Sequence, residues 1–131
     1  EVASIGRLFD PQGEAYEASF GTGGARFDYY ERKRLENRHL QNCAPTYGWV
    51  REAIGVTKVL LNRELDRQIE TPLLLCQAAR DTVVRLPEQN KFVSLLPHAQ
   101  LRAFDAKHEI YMSDDTVMRE YVPAVIGFLR G

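Results

Sequence analysis

The stretch Thr71-Pro72-Leu73-Leu74-Leu75-Cys76-Gln77-Ala78-Ala79-Arg80-Asp81 decides the fold. Proline at 72 forces Thr71 into an extended entry. The apolar run that follows is continuous rather than alternating, as in a strand buried on both faces of a parallel sheet. The run stops at Arg80-Asp81-Thr82-Val83-Val84. Pro87 suits a first helical turn, so residues 87–96 read as a helix with Phe92, Val93 and Leu96 on its apolar side, ended by Pro97. Residues 100–104 read as a second short strand leading to Asp105-Ala106-Lys107-His108-Glu109. The order is strand, acid, helix, strand, histidine.

Working outward, Ser113 or Asp114 can cap a last helix reaching Leu129, with Val117, Tyr121, Val125 and Leu129 repeating every four residues. Pro123 removes one backbone donor and is expected to kink or split it. Upstream, residues 46–65 carry the clearest helical pattern, with Thr46 as N-cap and Trp49, Ala53, Val56 and Leu60 along one stripe. Trp49 reads either as core packing or as the wall of an apolar substrate pocket. Residues 25–39 read as a polar surface helix with Phe27, Tyr30 and Leu35 as its sparse apolar positions, His39 in its last turn, and Asn42-Cys43-Ala44-Pro45 as its breaker. The basic run Arg32-Lys33-Arg34 lies between Glu31 and Glu36 and reads as a solvated face. Phe20-Gly21-Thr22-Gly23-Gly24 reads as a flexible loop; a phosphate cradle is disfavoured because no strand precedes it and no Lys-Ser/Thr follows.

At 131 residues, 44% apolar and 27% charged, the chain has the size and composition of one ordinary globular domain. A net charge of −1 argues against a nucleic-acid partner. Cys43 and Cys76 form no spaced framework, and Cys76 reads as a small buried hydrophobe, so a reducing, cytoplasmic compartment is the expectation. No apolar run approaches the roughly 18 residues of a membrane span. The chain starts at Glu1 rather than Met, and a removed N-terminal part, with any targeting signal, is expected.

Strand–helix–strand–helix gives α/β. A two-stranded parallel sheet cannot cover both faces and both edges by itself, so its continuation in another polypeptide or in a missing N-terminal part is expected. Self-association through the open sheet edge is the other way to satisfy it.

Parallel neighbours place Asp81 and His108 at one C-terminal sheet edge, where open α/β sheets carry their sites. A carboxylate facing an imidazole holds the proton on Nδ1 and leaves Nε2 as general base. Either residue alone has a plain reading, Asp81 as a turn former above all; their order and element context favour the pair. His98 follows Pro97 and reads as a loop residue. His108-Glu109 begins the zinc pattern H-E-x-x-H, but position 112 is methionine, so no metal is expected, and no cofactor.

The segments Pro45-Thr46-Tyr47-Gly48-Trp49-Val50-Arg51-Glu52-Ala53, Thr71 to Ala78, Asp81-Thr82-Val83-Val84 and Ala106-Lys107-His108-Glu109-Ile110 resemble the C-terminal half of the bacterial lysophospholipase L2 group, α/β-hydrolases close to the monoglyceride lipases. The resemblance runs from about Arg26 onward. It implies that residues 1–66 form a helical cap with a loop-rich start and that residues 67–131 form the C-terminal part of the hydrolase core. It implies Asp81 as triad acid and His108 as triad histidine, with Tyr47 and Trp49 lining a site for a lysophospholipid or monoacylglycerol ester. Two positions depart from the family: Arg85-Leu86 stands where Asp-Asn often follows Val-Val, and Ser113 where Glu is frequent.

No G-x-S-x-G occurs, and none of Ser4, Ser19, Ser94 or Ser113 sits in a strand-to-helix elbow. The chain alone is therefore expected to be inactive, lacking nucleophile and oxyanion hole. The alternative is a non-catalytic interaction or lipid-binding module built on the same fold. Peripheral contact with the inner membrane, through Arg32, Lys33, Arg34 and Arg38, is a lesser expectation than a solvated face.

Overall fold

The computed structural model describes residues 19–41, 45–61 and 69–131. In chain order these form α1 (Gly24–Glu36), a short 3₁₀ turn (Arg38–Leu40), α2 (Tyr47–Leu60), β1 (Leu73–Ala78), α3 (Leu86–Leu95), β2 (Ala99–Phe104), a second 3₁₀ turn (Ile110–Met112) and α4 (Asp115–Arg130). The fold is mixed α/β with two parallel strands in an open sheet, in register from Leu73 opposite Ala99 to Ala78 opposite Phe104.

Side-chain alternation assigns the two core helices to opposite faces of this sheet. Cys76 and Ala78 of β1 pack with Val117 and Ala124 of α4, whereas the intervening Gln77 donates through Nε2 to Asn90 Oδ1 of α3 at 3.0 Å. The core is small: Ala78, Phe104, Ala106, Ile110, Val117 and Ala124, with Cys76 and Tyr121 at its margin. The Phe104 and Tyr121 rings meet edge-to-face at 5.4 Å. The expected burial of β1 on both faces is reached only at Gln77 and Ala78; Leu73 to Cys76 are half-buried. Leu101, Arg102 and Ala103 of β2 are exposed, and the strand begins one residue earlier than expected. Cys76 is a free thiol at the margin of the core, and burial, opposed by the Arg102 charge, pushes it above its usual value.

Asp114, not Ser113, caps α4: its Oδ1 accepts from the backbone N–H groups of Thr116 at 3.0 Å and Val117 at 3.2 Å. Asp114→Ala leaves both donors without their partner and is expected to destabilise the chain by about 1 kcal/mol, read as a lower urea midpoint at unchanged slope. Pro123 does not split α4, which runs unbroken to Arg130. The proline costs one donor, while Val117 and Ala124 on either side of it stay buried in the core.

Upstream of β1, Thr46 caps α2 as expected, its Oγ1 accepting from Trp49 N at 3.1 Å. α2 buries no residue, and Trp49 is 65% exposed, so the core-packing reading of this tryptophan is overturned. α1 ends at Glu36, and His39 belongs to the following 3₁₀ turn, where Asn37 Oδ1 accepts from its backbone N–H. The solvated-face reading of the basic run holds for the exposed Arg32 and Lys33 and needs correction at Arg34. Arg34 is buried and donates to the buried carboxylate of Glu31 at 3.1 Å, while Arg32 and Lys33 lie over the Tyr29 ring. The turn at Asp10, the Asn42–Ala44 part of the breaker and the helical extension to Leu65 lie outside the described residues.

Candidate active site

β1 delivers Asp81 three residues past its last paired position, and β2 delivers His108 four past its own. Hydrogen bonding continues beyond both strands and ties the two exits together. Ala79 N donates to Phe104 O at 2.8 Å and Arg80 N to Ala106 O at 3.0 Å. Arg80 also reaches across to the Asp105 carbonyl at 3.0 Å and the Asp105 carboxylate at 2.7 Å. Ala106 is fully buried beneath this junction.

The result is a direct contact between Asp81 Oδ2 and His108 Nδ1 at 2.9 Å. The other carboxylate oxygen, Oδ1, accepts from Val83 N at 2.8 Å and Val84 N at 3.0 Å. The Asp81 side chain is 5% exposed, that of His108 36%. An ionised carboxylate accepts only, so Nδ1 must carry the proton, and Nε2 presents a lone pair. Nε2 has no hydrogen-bond partner among the described residues. This is the arrangement that a general base with an orienting acid requires.

Burial is the largest single influence on Asp81 and pushes its carboxyl up. The bond from His108 and those from Val84 and Val83 together outweigh it and hold the group below the ordinary aspartate value. The folded-state value thus lies below the unfolded one of about 3.9. Asp81 contributes stability that is fully present above that value and lost as pH falls through the folded-state value. Urea midpoints measured downward from about pH 5 should fall more steeply for the native chain than for Asp81→Asn; parallel profiles would contradict this.

A second set of contacts closes the other side of the histidine. Ser19 and the first four residues of Phe20-Gly21-Thr22-Gly23-Gly24, a stretch expected to be a flexible loop, form a strap bonded along the segment after β2. Lys107 Nζ donates to Ser19 O at 3.0 Å, and Glu109 N donates to Phe20 O at 3.0 Å. Gly23 N donates to Met112 O at 2.8 Å, and Asp114 N to Thr22 Oγ1 at 3.4 Å. Arg26, in the first turn of α1, adds bonds to Ser113 O at 2.9 Å and Asp115 Oδ1 at 2.7 Å. Tyr111 donates to Glu109 Oε1 at 3.1 Å; partial burial and then the Glu109 charge push its phenol up to about 12, so it remains a donor at any working pH.

The structure brings together Asp81 and His108. It does not bring Tyr47 or Trp49 to them: both project from α2, 59% and 65% exposed, with no hydrogen bond or ring contact to the pair. His98 is exposed beside β2. Of the described serines, Ser94 Oγ donates to Lys91 O, Ser19 Oγ accepts from Gly21 N, and Ser113 Oγ is buried without a partner; none bonds to His108. No three His, Cys, Asp or Glu side chains converge as a metal site requires among the described residues, and no described helix is long and apolar enough to cross a membrane. The backbone donors of Val83 and Val84 were missed by residue-type reasoning, although Asp followed by a tight turn is a known signal for such bonds.

The chain is similar to the probable lysophospholipase L2 of Haemophilus influenzae (strain ATCC 51907 / DSM 11121 / KW20 / Rd), 29% identical over 106 residues. The match covers 80% of this chain and 33% of that protein, so the chain spans a third of the length of the curated relative it matches. No family model matches the chain, and no solved structure does. At this identity and coverage the similarity points only weakly to a lysophospholipase-like or α/β-hydrolase relationship.

Proposed function

We propose that this chain supplies the acid and the histidine of a Ser-His-Asp carboxylic ester hydrolase acting on lysophospholipids or monoacylglycerols. The observation that carries the reading is the 2.9 Å contact of Asp81 Oδ2 with His108 Nδ1, at the C-terminal ends of two adjacent parallel strands. The similarity to a protein named as a lysophospholipase supports the ester substrate class.

In the proposed enzyme a serine outside this chain's own set attacks the acyl carbonyl. His108 Nε2 takes the serine proton and delivers it to the leaving alcohol as the serine becomes acylated; the same nitrogen then deprotonates a water that attacks the acyl-serine ester, and returns that proton to the serine oxygen as the fatty acid leaves. Asp81 remains ionised throughout and stabilises the imidazolium. Residues 1–66 would act as the cap, with Tyr47 and Trp49 offering an apolar wall to the acyl chain. The rest of the sheet would come from a further segment pairing with the exposed strand edge. The test is release of fatty acid from lysophosphatidylcholine and monoacylglycerol by the polypeptide that joins this stretch to its serine, with and without Asp81→Asn. Activity that survives the substitution intact would overturn the reading.

One observation favours a second reading, a non-catalytic interaction module. Trp49 and Val56, seven residues apart on one side of α2, are each more than half exposed, an apolar surface that needs no chemistry to bind a partner. Binding without any ester turnover by the longer polypeptide would select it.

A further inference from the structure

We infer that Phe20 is a positioning residue for His108, holding the imidazole on Asp81 from the side that the acid cannot reach. The inference rests on reading Asp81 and His108 as the acid–base half of the site. The bond to Asp81 fixes one ring atom at Nδ1. It leaves the ring free to swing about that point, and a swing moves Nε2 away from any nucleophile. Phe20 closes that freedom: its ring meets the imidazole edge-to-face, 6.1 Å between centroids and 78° between planes. Such contacts are directional, because the positive edge of one ring faces the negative face of the other.

The backbone around Phe20 is fixed relative to the histidine by independent bonds. The residue before His108 is held by Lys107 Nζ on Ser19 O, and the residue after it by Glu109 N on Phe20 O. Ser19 is itself buried, its Oγ accepting from Gly21 N at 3.0 Å. The strap then continues into α1, where Arg26 is anchored on Ser113 O. His108 therefore contacts both Asp81 and a half-exposed aromatic ring, and the ring belongs to a segment 88 positions earlier in the chain.

The test uses the whole 131-residue chain labelled at histidine, with long-range proton–nitrogen spectra of the three imidazoles and the water-exchange rate of the His108 Nδ1 proton. Phe20→Ala and Phe20→Leu are expected to raise that exchange rate by about two- to tenfold, the factor an aromatic contact supports. Phe20→Tyr keeps the ring and is expected to match the native chain. A role limited to filling space would instead be rescued by leucine. A native-like His108 Nδ1 exchange rate in the leucine variant would overturn the inference, whether or not the alanine variant folds. In the ester-cleaving polypeptide the leucine variant should lower kcat by the same factor and leave KM unchanged. If that polypeptide cleaves no ester at all, the functional reading fails, while the spectra still decide the role of Phe20.

Discussion

Asp81→Asn in the proposed enzyme is expected to lower turnover by about 10⁴ while leaving KM nearly unchanged. The two oxygens of this carboxylate have unequal surroundings, and that inequality determines what an amide would do there. Oδ1 accepts from Val83 N and Val84 N, and Oδ2 faces His108 Nδ1. An asparagine has one acceptor and one donor end. Turned with its NH₂ toward Val83 and Val84, it would set donor against two donors in a site that is 5% exposed. The amide oxygen must therefore take the Oδ1 position, and the NH₂ must face Nδ1. Nδ1 then becomes an acceptor, the ring proton moves to Nε2, and the base has no lone pair for the serine proton. The geometry survives and the chemistry does not, which is why the loss should appear in kcat. Fatty-acid release under saturating lysophospholipid measures it, with a urea midpoint as the control for folding. Turnover within about tenfold of native would remove Asp81 from the proposed mechanism.

The parts readable from residue types are those whose partners lie close in the chain or follow from strand order. Leu73 to Ala78 announces a strand by its unbroken apolar run, and Thr46 and Asp114 sit where caps belong, before amphipathic runs. Asp81 and His108 are 27 positions apart, but a parallel strand pair returns its second exit beside the first, so the meeting follows from topology. The strap could not be read in the same way. Phe20-Gly21-Thr22-Gly23-Gly24 has the composition of a mobile loop, and its partners are Glu109 to Asp114. Nothing local encodes a pairing across about ninety positions; glycine there signals close approach only once the approaching backbone is known. Arg34 fails for a related reason. Charge patterning assigns it to solvent, but Glu31 one turn earlier neutralises it and allows both to be buried. Core packing is one of the two readings of Trp49 because a large aromatic side chain is highly buried on average. Its exposure belongs to a helix that buries no residue among the described parts of the chain.

The largest effect on stability is expected from Gly23→Ala, about 2 to 3 kcal/mol, in the upper part of the range for overpacking. A Cβ on Gly23 would stand 2.6 Å from Ser113 O, 2.8 Å from Ser113 C and 2.9 Å from Met112 O. All three are backbone atoms, so no rotamer change can make room, and the strap or the segment after β2 must move. Movement at this point breaks the 2.8 Å bond from Gly23 N to Met112 O, whose loss adds roughly 1 kcal/mol. It also disturbs Ser113, which is fully buried, and the Arg26 bond to its carbonyl. The neighbouring residue is the internal control. Gly24 begins α1, and a Cβ there meets nothing within 4 Å. Gly24→Ala should therefore be neutral or stabilising, since alanine restricts the unfolded chain more than glycine does. Two adjacent glycines given the same added methyl should thus shift the urea midpoint in different ways, the first strongly down and the second not down. Equal midpoints for the two variants would mean that the strap does not hold the segment after β2 in solution. If the difference is found, the close approach at Gly23 is part of what keeps the far side of the His108 loop in place, with the Asp81 bond holding the near side.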